Sequence, residues 1–198
     1  MSVAAIKRRI IRKGRGAVFT PSDFLALGSR SAVDKALSRL AADGVIRRLT
    51  QGVYDYPKVS TRLGALAPNP DDVAAAIAAK GGHVVQVSPA KAANLLGLTT
   101  QVPAKSVYLT DGPTRSKKIG RQTIYMRNAA PKNLVAAGKP AGLIFQALRY
   151  LGKDCVDERA VRLLSQNLDA ATRKALVKDS QYAPGWVRPI AHQIAEAA

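Results

Sequence analysis

A group of basic and hydroxyl side chains between residues 29 and 51 has the residue types that contact nucleic acid. Arginine and lysine donate hydrogen bonds to guanine edges and to phosphates, and serine reaches phosphate or sugar. The candidates are Ser29, Arg30, Ser31, Asp34, Lys35, Ser38, Arg39, Arg47, Arg48 and Gln51. The set predicts DNA contact rather than covalent chemistry.

Some of these candidates are expected to contact DNA bases, and others the DNA backbone. Arg30 and Lys35 are expected to donate to guanine. Phosphate or sugar contacts are expected from Ser29, Ser31, Ser38 and Arg39. Asp34 either accepts from cytosine or caps a helix start. Arg47, Arg48 and Gln51 lie where a basic tip either follows the DNA backbone or enters the minor groove.

The run from Val18 to Tyr56 supplies the elements that position this set. Thr20-Pro21 predicts a helix start with Asp23 completing a capping box, and Gly28 ends that helix. A second helix, 29–43, carries an apolar stripe, and two strands, 45–50 and 53–56, meet at Gln51-Gly52. This order predicts a winged helix-turn-helix. We assign to its core Val18, Phe24, Leu25, Val33, Leu37, Leu40, Val45, Ile46 and Val53.

The charge balance favours a polyanionic partner. The chain has 31 Lys and Arg against 13 Asp and Glu, a net charge of +18. Residues 1–64 carry 13 of these basic and 4 of these acidic side chains, so the excess is largest around the winged pattern. The same excess also fits a ribosome-associated RNA-binding protein, and the polar helix face also fits a protein contact.

The whole chain is predicted to be α+β, with three regions. A winged helix-turn-helix covers 1–62, a mixed α/β region 63–130 and a helical region 131–198. In the middle region we expect helices at 71–80 and 89–96 and strands at 83–87, 107–111 and 121–127. A second basic cluster, Lys117, Lys118 and Arg121, is placed on a loop that either extends a DNA footprint or is simply solvated.

The C-terminal region is predicted to be a small helical bundle. Apolar stripes indicate helices at 141–151, 157–167, 169–179 and 189–196. Asn167 and Asp169 allow a cap between the second and third of these helices. Trp186 is interpreted as a packing anchor.

Catalytic residues are not indicated. His83 and His192 have no metal-ligand spacing to other residues, and no phosphate-binding glycine loop or nucleophile elbow occurs. Cys155 is the single cysteine, which excludes an internal disulfide and favours a reducing, cytoplasmic setting. No secretory or membrane-spanning pattern is present. We therefore expect no catalytic site, metal or cofactor.

Several runs resemble the AbiEi-like antitoxins of type IV abortive-infection systems. The resemblance rests on FTPSDF at 19–24, GSR at 28–30, ALSRL at 36–40, GVYDYP at 52–57 and SPAKAANLLGLTTQVP at 88–103. It covers about residues 1–130.

The resemblance implies a bacterial antitoxin whose winged domain binds repeats in its own promoter and represses the operon. Residues 63–198 would then form the antitoxin region, and the partner would be a nucleotidyltransferase-like toxin. The family's DNA contacts fall here on Ser29, Arg30, Lys35, Ser38, Arg47, Arg48 and Gln51. Two alternatives stay open, a stand-alone winged-helix regulator and the specificity subunit of a nucleic-acid enzyme with acidic residues such as Asp154, Asp157 and Glu158.

Overall fold

Three helical segments build the core of the first part of the chain. In this computed structural model, which describes residues 3–166 and 168–197, they are α1 (Val3–Lys13), a 3₁₀ helix (Pro21–Leu27) and α2 (Arg30–Ala42). Their apolar faces bury one cluster together with part of a sheet. Its buried members are Ile6, Ile10, Phe19, Phe24, Val33, Ala36, Leu37, Leu40, Ile46 and Tyr54.

The 3₁₀ helix begins with the predicted capping interaction. Asp23 accepts hydrogen bonds from the backbone nitrogen of Thr20, at 2.8 Å, and from its hydroxyl, at 3.0 Å. The prediction of Leu25 as core is wrong, since this side chain is 46% exposed. With three residues per turn, Pro21, Phe24 and Leu27 share the inward face and Leu25 lies outside it.

A three-stranded sheet completes the winged arrangement. Its strands are β1 (Val18–Phe19), β2 (Arg47–Thr50) and β3 (Val53–Asp55), in the order β1-β3-β2, and both pairings are antiparallel. Gly52, at φ +70°, lies in the turn between β2 and β3. The sequence predicted β2 and β3, which together with their turn (residues 47–55) form the wing. It did not predict β1, because two residues are too few to show alternation.

A buried ion pair joins β2 to β3. Asp55 is 0% exposed. Arg47 lies directly opposite it and donates from Nε at 3.1 Å and from Nη2 at 2.6 Å. The same Nη2 donates to the carbonyl oxygen of Leu66 at 2.9 Å. Both carboxylate oxygens are therefore satisfied, which makes burial of the charge tolerable.

The segment that follows β3 contains a short hairpin and a helix. A short hairpin pairs β4 (Val59–Ser60) with β5 (Gly64–Ala65). Helix α3 (Pro70–Lys80) follows, capped by Asn69, whose side chain accepts from the backbone nitrogen of Asp71 at 2.9 Å.

A second sheet has the strand order β6-β7-β9-β8. The strands are β6 (Val85–Val87), β7 (Ser106–Thr110), β8 (Arg115–Ile119) and β9 (Gln122–Asn128), and α4 (Pro89–Leu95) follows β6. The loop predicted for Lys117 and Lys118 is wrong, because both lie on strand β8. Residues 115–118 are all polar, so the sequence shows no alternation of apolar and polar residues that would predict a strand. The strand forms because β9 pairs with it.

Four helices form the C-terminal bundle. They are α5 (Pro140–Leu151), α6 (Glu158–Ser165), α7 (Ala170–Ser180) and α8 (Val187–Glu196). Asp157 and Asp169 cap α6 and α7, each accepting a backbone hydrogen bond of 2.7 Å, whereas Asn167 lies outside the described residues. Trp186 packs against the buried core, as expected of an anchor.

The α+β class predicted from the sequence is confirmed. Contacts divide the chain into a first unit, the residues up to His83 with Ser116–Ile124, and a second unit, Val84–Arg115 with the residues from Tyr125 onward. The first unit thus includes α3, which the sequence assigned to the middle region. The predicted domain limits, 1–62, 63–130 and 131–198, stay predictions.

Asp55→Asn is expected to lower the free energy of unfolding by about 2–4 kcal/mol, because it leaves the Arg47 guanidinium without its countercharge in a partly buried site. Urea denaturation at pH 7 measures this loss. The control is Asp43→Asn, at the exposed C-terminal end of α2, where we expect about 0.5 kcal/mol or less. Equal losses for the two variants would show that the pair does not stabilise the fold.

Candidate nucleic-acid interface

Helix α2 has one buried and one exposed face. Val33, Ala36, Leu37 and Leu40 are at most 3% exposed and fix the helix against the core. The opposite face presents the predicted contact residues to solvent. Exposed on it are Ser29, Arg30, Ser31, Lys35, Ser38 and Arg39.

The first turn of this helix has a defined polar structure. Ser29 is the N-cap, and its hydroxyl accepts from the backbone nitrogen of Ala32 at 3.4 Å. Its Oγ also lies 3.3 Å from that of Ser31. A helix N-terminus carries unpaired N–H groups and a partial positive charge, so it suits a phosphate oxygen.

Asp34 is neither the cap nor a free acceptor. Its carboxylate pairs with Arg30 Nε at 3.0 Å, an i,i+4 contact between side chains that are 54% and 47% exposed. An exposed pair of this kind stabilises the fold by about 0–1 kcal/mol. Breaking it to free the Arg30 guanidinium for another partner therefore requires little free energy. Lys35 and Arg39 make no hydrogen bond or ion pair with any side chain that the structure describes.

The wing exposes two of its three predicted contact residues. Arg48 and the side chain of Gln51 are exposed, but the Arg47 guanidinium is held by Asp55 and Leu66. Alternation explains the difference, because neighbouring residues of a strand point to opposite faces. The sequence did not reveal this, since its pattern gave no reason to bury Asp55.

Lys80 adds a cation to the wing that the sequence did not predict. From the last turn of α3, its Nζ donates to the backbone oxygen of Gln51 at 2.7 Å. A Cβ at Gly52 would lie 3.1 Å from Lys80 Cε, so a larger residue there would make the lysine side chain shift by a few tenths of an ångström. No sequence signal links two positions 29 residues apart, so only the fold reveals this contact.

Helix α1 carries a second exposed basic face. Lys7, Arg8, Arg9, Arg12 and Lys13 are exposed, whereas Ile6 and Ile10 are fully buried. Lys13 is tied to the 3₁₀ helix through an ion pair of 3.1 Å with Asp23. The other four cations make no ion pair with any described residue, which leaves them available to an anionic surface.

The environment of Asp23 favours its charged form. Partial burial alone raises the pKa of this carboxyl. Hydrogen bonds from Thr20 and Lys13, with the attraction of the Lys13 charge, outweigh burial and lower the pKa below its ordinary value.

The secondary basic cluster lies at the tip of the β8–β9 hairpin. Lys117 and Lys118 are exposed on β8, and Arg121 is exposed in the turn after Gly120. Contacts group this tip, Ser116–Ile124, with the first unit. With it included, the first unit carries 17 basic and 6 acidic side chains.

Residues considered for catalysis are not brought together. Among residues 3–166 and 168–197, no group of three His, Cys, Asp or Glu side chains could hold a metal ion, so Asp154, Asp157 and Glu158 do not form such a group. Cys155 is exposed and unpaired with another cysteine. No described helix combines the length and apolar character needed to cross a membrane.

Comparison with known proteins places the chain in a family. The model of DUF6088, a family of unknown function, matches residues 5–176. The chain belongs to this family. The match includes both α2 and the wing, together with the sheet and most of the C-terminal helices.

Other comparisons are distant. No curated protein matches. Among solved structures, the chain is similar to the RV2827C protein from Mycobacterium tuberculosis at 15% identity and a TM-score of 0.41, over 98% of this chain and 75% of that one.

Asp23→Asn is expected to lower the free energy of unfolding by about 1 kcal/mol at pH 7, because it weakens the capping interaction that positions the segment before α2. Since the folded-state pKa of Asp23 is depressed, this contribution is present above the unfolded pKa of about 3.9 and is lost as the pH falls through the folded value. Urea midpoints at pH 7, 5 and 3 should converge for wild type and variant. A gap that does not narrow toward pH 3 would contradict the assignment.

Proposed function

We propose that the protein is a DNA-binding transcriptional repressor and antitoxin of a type IV toxin-antitoxin system. The observation that carries the DNA-binding half is the exposed basic face of α2, held in a winged arrangement by a fully buried opposite face. The antitoxin half rests on the resemblance of residues 1–130 to AbiEi-like antitoxins. No catalytic role is assigned, and we place the protein in the cytoplasm.

In this proposal the N-terminal half of α2 enters the major groove, as recognition helices of winged domains do. Lys35 and Arg30 donate to guanine edges, with Arg30 leaving Asp34 as it does so. The first turn and the far end of the exposed face hold the phosphates. The residues with this second role are Ser29, Ser31, Ser38 and Arg39.

The wing contacts the DNA backbone next to the recognition helix. Arg48 and Gln51 supply its side-chain contacts, and Lys80 holds the turn through the backbone of Gln51. Arg47 is a positioning residue, because its donors are engaged by Asp55 and Leu66. The first unit's charge of 17 cations against 6 anions provides the non-specific attraction to phosphate.

The antitoxin activity would lie in residues 63–198 and oppose a nucleotidyltransferase-like toxin encoded beside it. Binding to repeats in the shared promoter would then couple repression of the operon to the amount of this protein. A stand-alone regulator has the same DNA contacts and no effect on a toxin.

Replacing Arg30 and Lys35 together by alanine is expected to reduce the preference for its own upstream DNA. Each base contact discriminates by about 1–3 kcal/mol, which corresponds to about 5- to 150-fold in affinity. Mobility shifts on the upstream DNA and on a scrambled duplex of the same length measure the preference at one fixed salt concentration.

The matched control is Arg159→Ala with Lys174→Ala, which removes the same two charges from exposed positions of the helical bundle. It should keep the preference. Full preference in the α2 double variant would refute the assigned recognition helix, and stronger competition by structured RNA than by DNA would favour an RNA-binding protein.

Co-expression tests the antitoxin half. We expect the wild-type chain to restore growth of cells that express the adjacent toxin gene, and the Arg30→Ala, Lys35→Ala variant to restore growth equally when both genes are driven from foreign promoters. The reason is that neutralisation is assigned to residues 63–198. Failure of the wild type to restore growth would reject the antitoxin claim and leave the DNA-binding claim standing.

A further inference from the structure

We propose that the β8–β9 hairpin tip, residues 116–124, is a second DNA-backbone arm that acts beside the wing. This inference rests on the proposed DNA binding and extends it to residues far from the winged domain in sequence. The tip is anchored within the first unit. Ile119 is 4% exposed, and Gln122 Nε2 donates to the carbonyl oxygen of Pro68 at 3.1 Å.

The hairpin has the charge pattern of a phosphate-binding element. Residues 115–127 contain five arginines and lysines and no acidic residue. They lie within a run, 112–153, that has nine cations and no Asp or Glu. A polyanion that approaches the hairpin therefore meets no acidic side chain from this run to repel it.

A groove brings the hairpin cations next to those of the wing. Arg48 of β2 and Arg121 of the hairpin turn line one cavity of about 530 Å³ within the first unit. Leu49, Leu66 and Ile119 also line it, and no carboxylate does. Arg47 also lines the cavity but is neutralised by Asp55, so the unmatched positive charge is that of Arg48 and Arg121.

Protection of a sheet edge explains these residues less well. Strand β8 is at the edge of its sheet, and lysines on edge strands prevent pairing with other chains. That role accounts for Lys117 and Lys118. It does not account for Arg121, which lies in the turn outside the ladder and lines the same cavity as Arg48.

The salt dependence of DNA affinity tests the proposal. Each phosphate contact contributes about 0.9 to the slope of log affinity against log salt concentration. Lys117→Gln, Lys118→Gln and Arg121→Gln combined should lower the magnitude of that slope by about 1–3, while the preference for the upstream DNA stays unchanged because phosphate contacts carry no sequence information. Arg121→Gln alone should lower it by about 0.9.

A charge-matched control uses the same acid-free run outside the hairpin. Lys132→Gln, Lys139→Gln and Lys153→Gln remove three exposed lysines of the second unit and should leave the slope unchanged. Equal slopes for wild type and hairpin variant, or equal decreases in both triple variants, overturn the proposal while DNA binding by α2 stands. If the wild type does not bind DNA at all, the proposed function fails, and this inference fails with it.

Discussion

The carboxylate of Asp55 lies in the central strand of the small sheet, where water cannot solvate it, and it depends on Arg47 for both its hydrogen bonds and its countercharge. The pair is directly cross-strand, so it fixes which residue of β2 faces which residue of β3. A slip of one residue would bury Arg48 and expose Arg47. Arg48 is therefore exposed on the wing because Asp55 is buried and pairs with Arg47.

The same pair ties the wing to the chain that follows it. Arg47 also donates to the carbonyl oxygen of Leu66, four residues before α3 begins. From the last turn of α3, Lys80 donates to the backbone oxygen of Gln51 in the turn of the wing. The hairpin tip joins this region through Gln122 and Pro68. The wing, α3 and the hairpin tip thus form one connected basic region, although their residues are spread from 47 to 124 of the sequence.

Local patterns in the sequence were sufficient to predict the helices from α2 to α8 and the exposed face of α2. An apolar stripe at three- and four-residue spacing determines which side of α2 is buried, and the Thr20-Asp23 capping box lies within four residues. The features that were missed depend on distant partners. Nothing near Asp55 indicates burial, and Lys117 and Lys118 form a strand because β9 pairs with them.

Hydrogen–deuterium exchange, with and without DNA from upstream of the protein's own gene, tests the central claim most directly. Bound DNA should slow exchange at the first turn of α2 and at the β2–β3 turn around Gln51, and leave the helical bundle from α5 to α8 unchanged. Slower exchange confined to the helical bundle, with α2 and the wing unaffected, would contradict the claim that the winged unit is the DNA-binding surface.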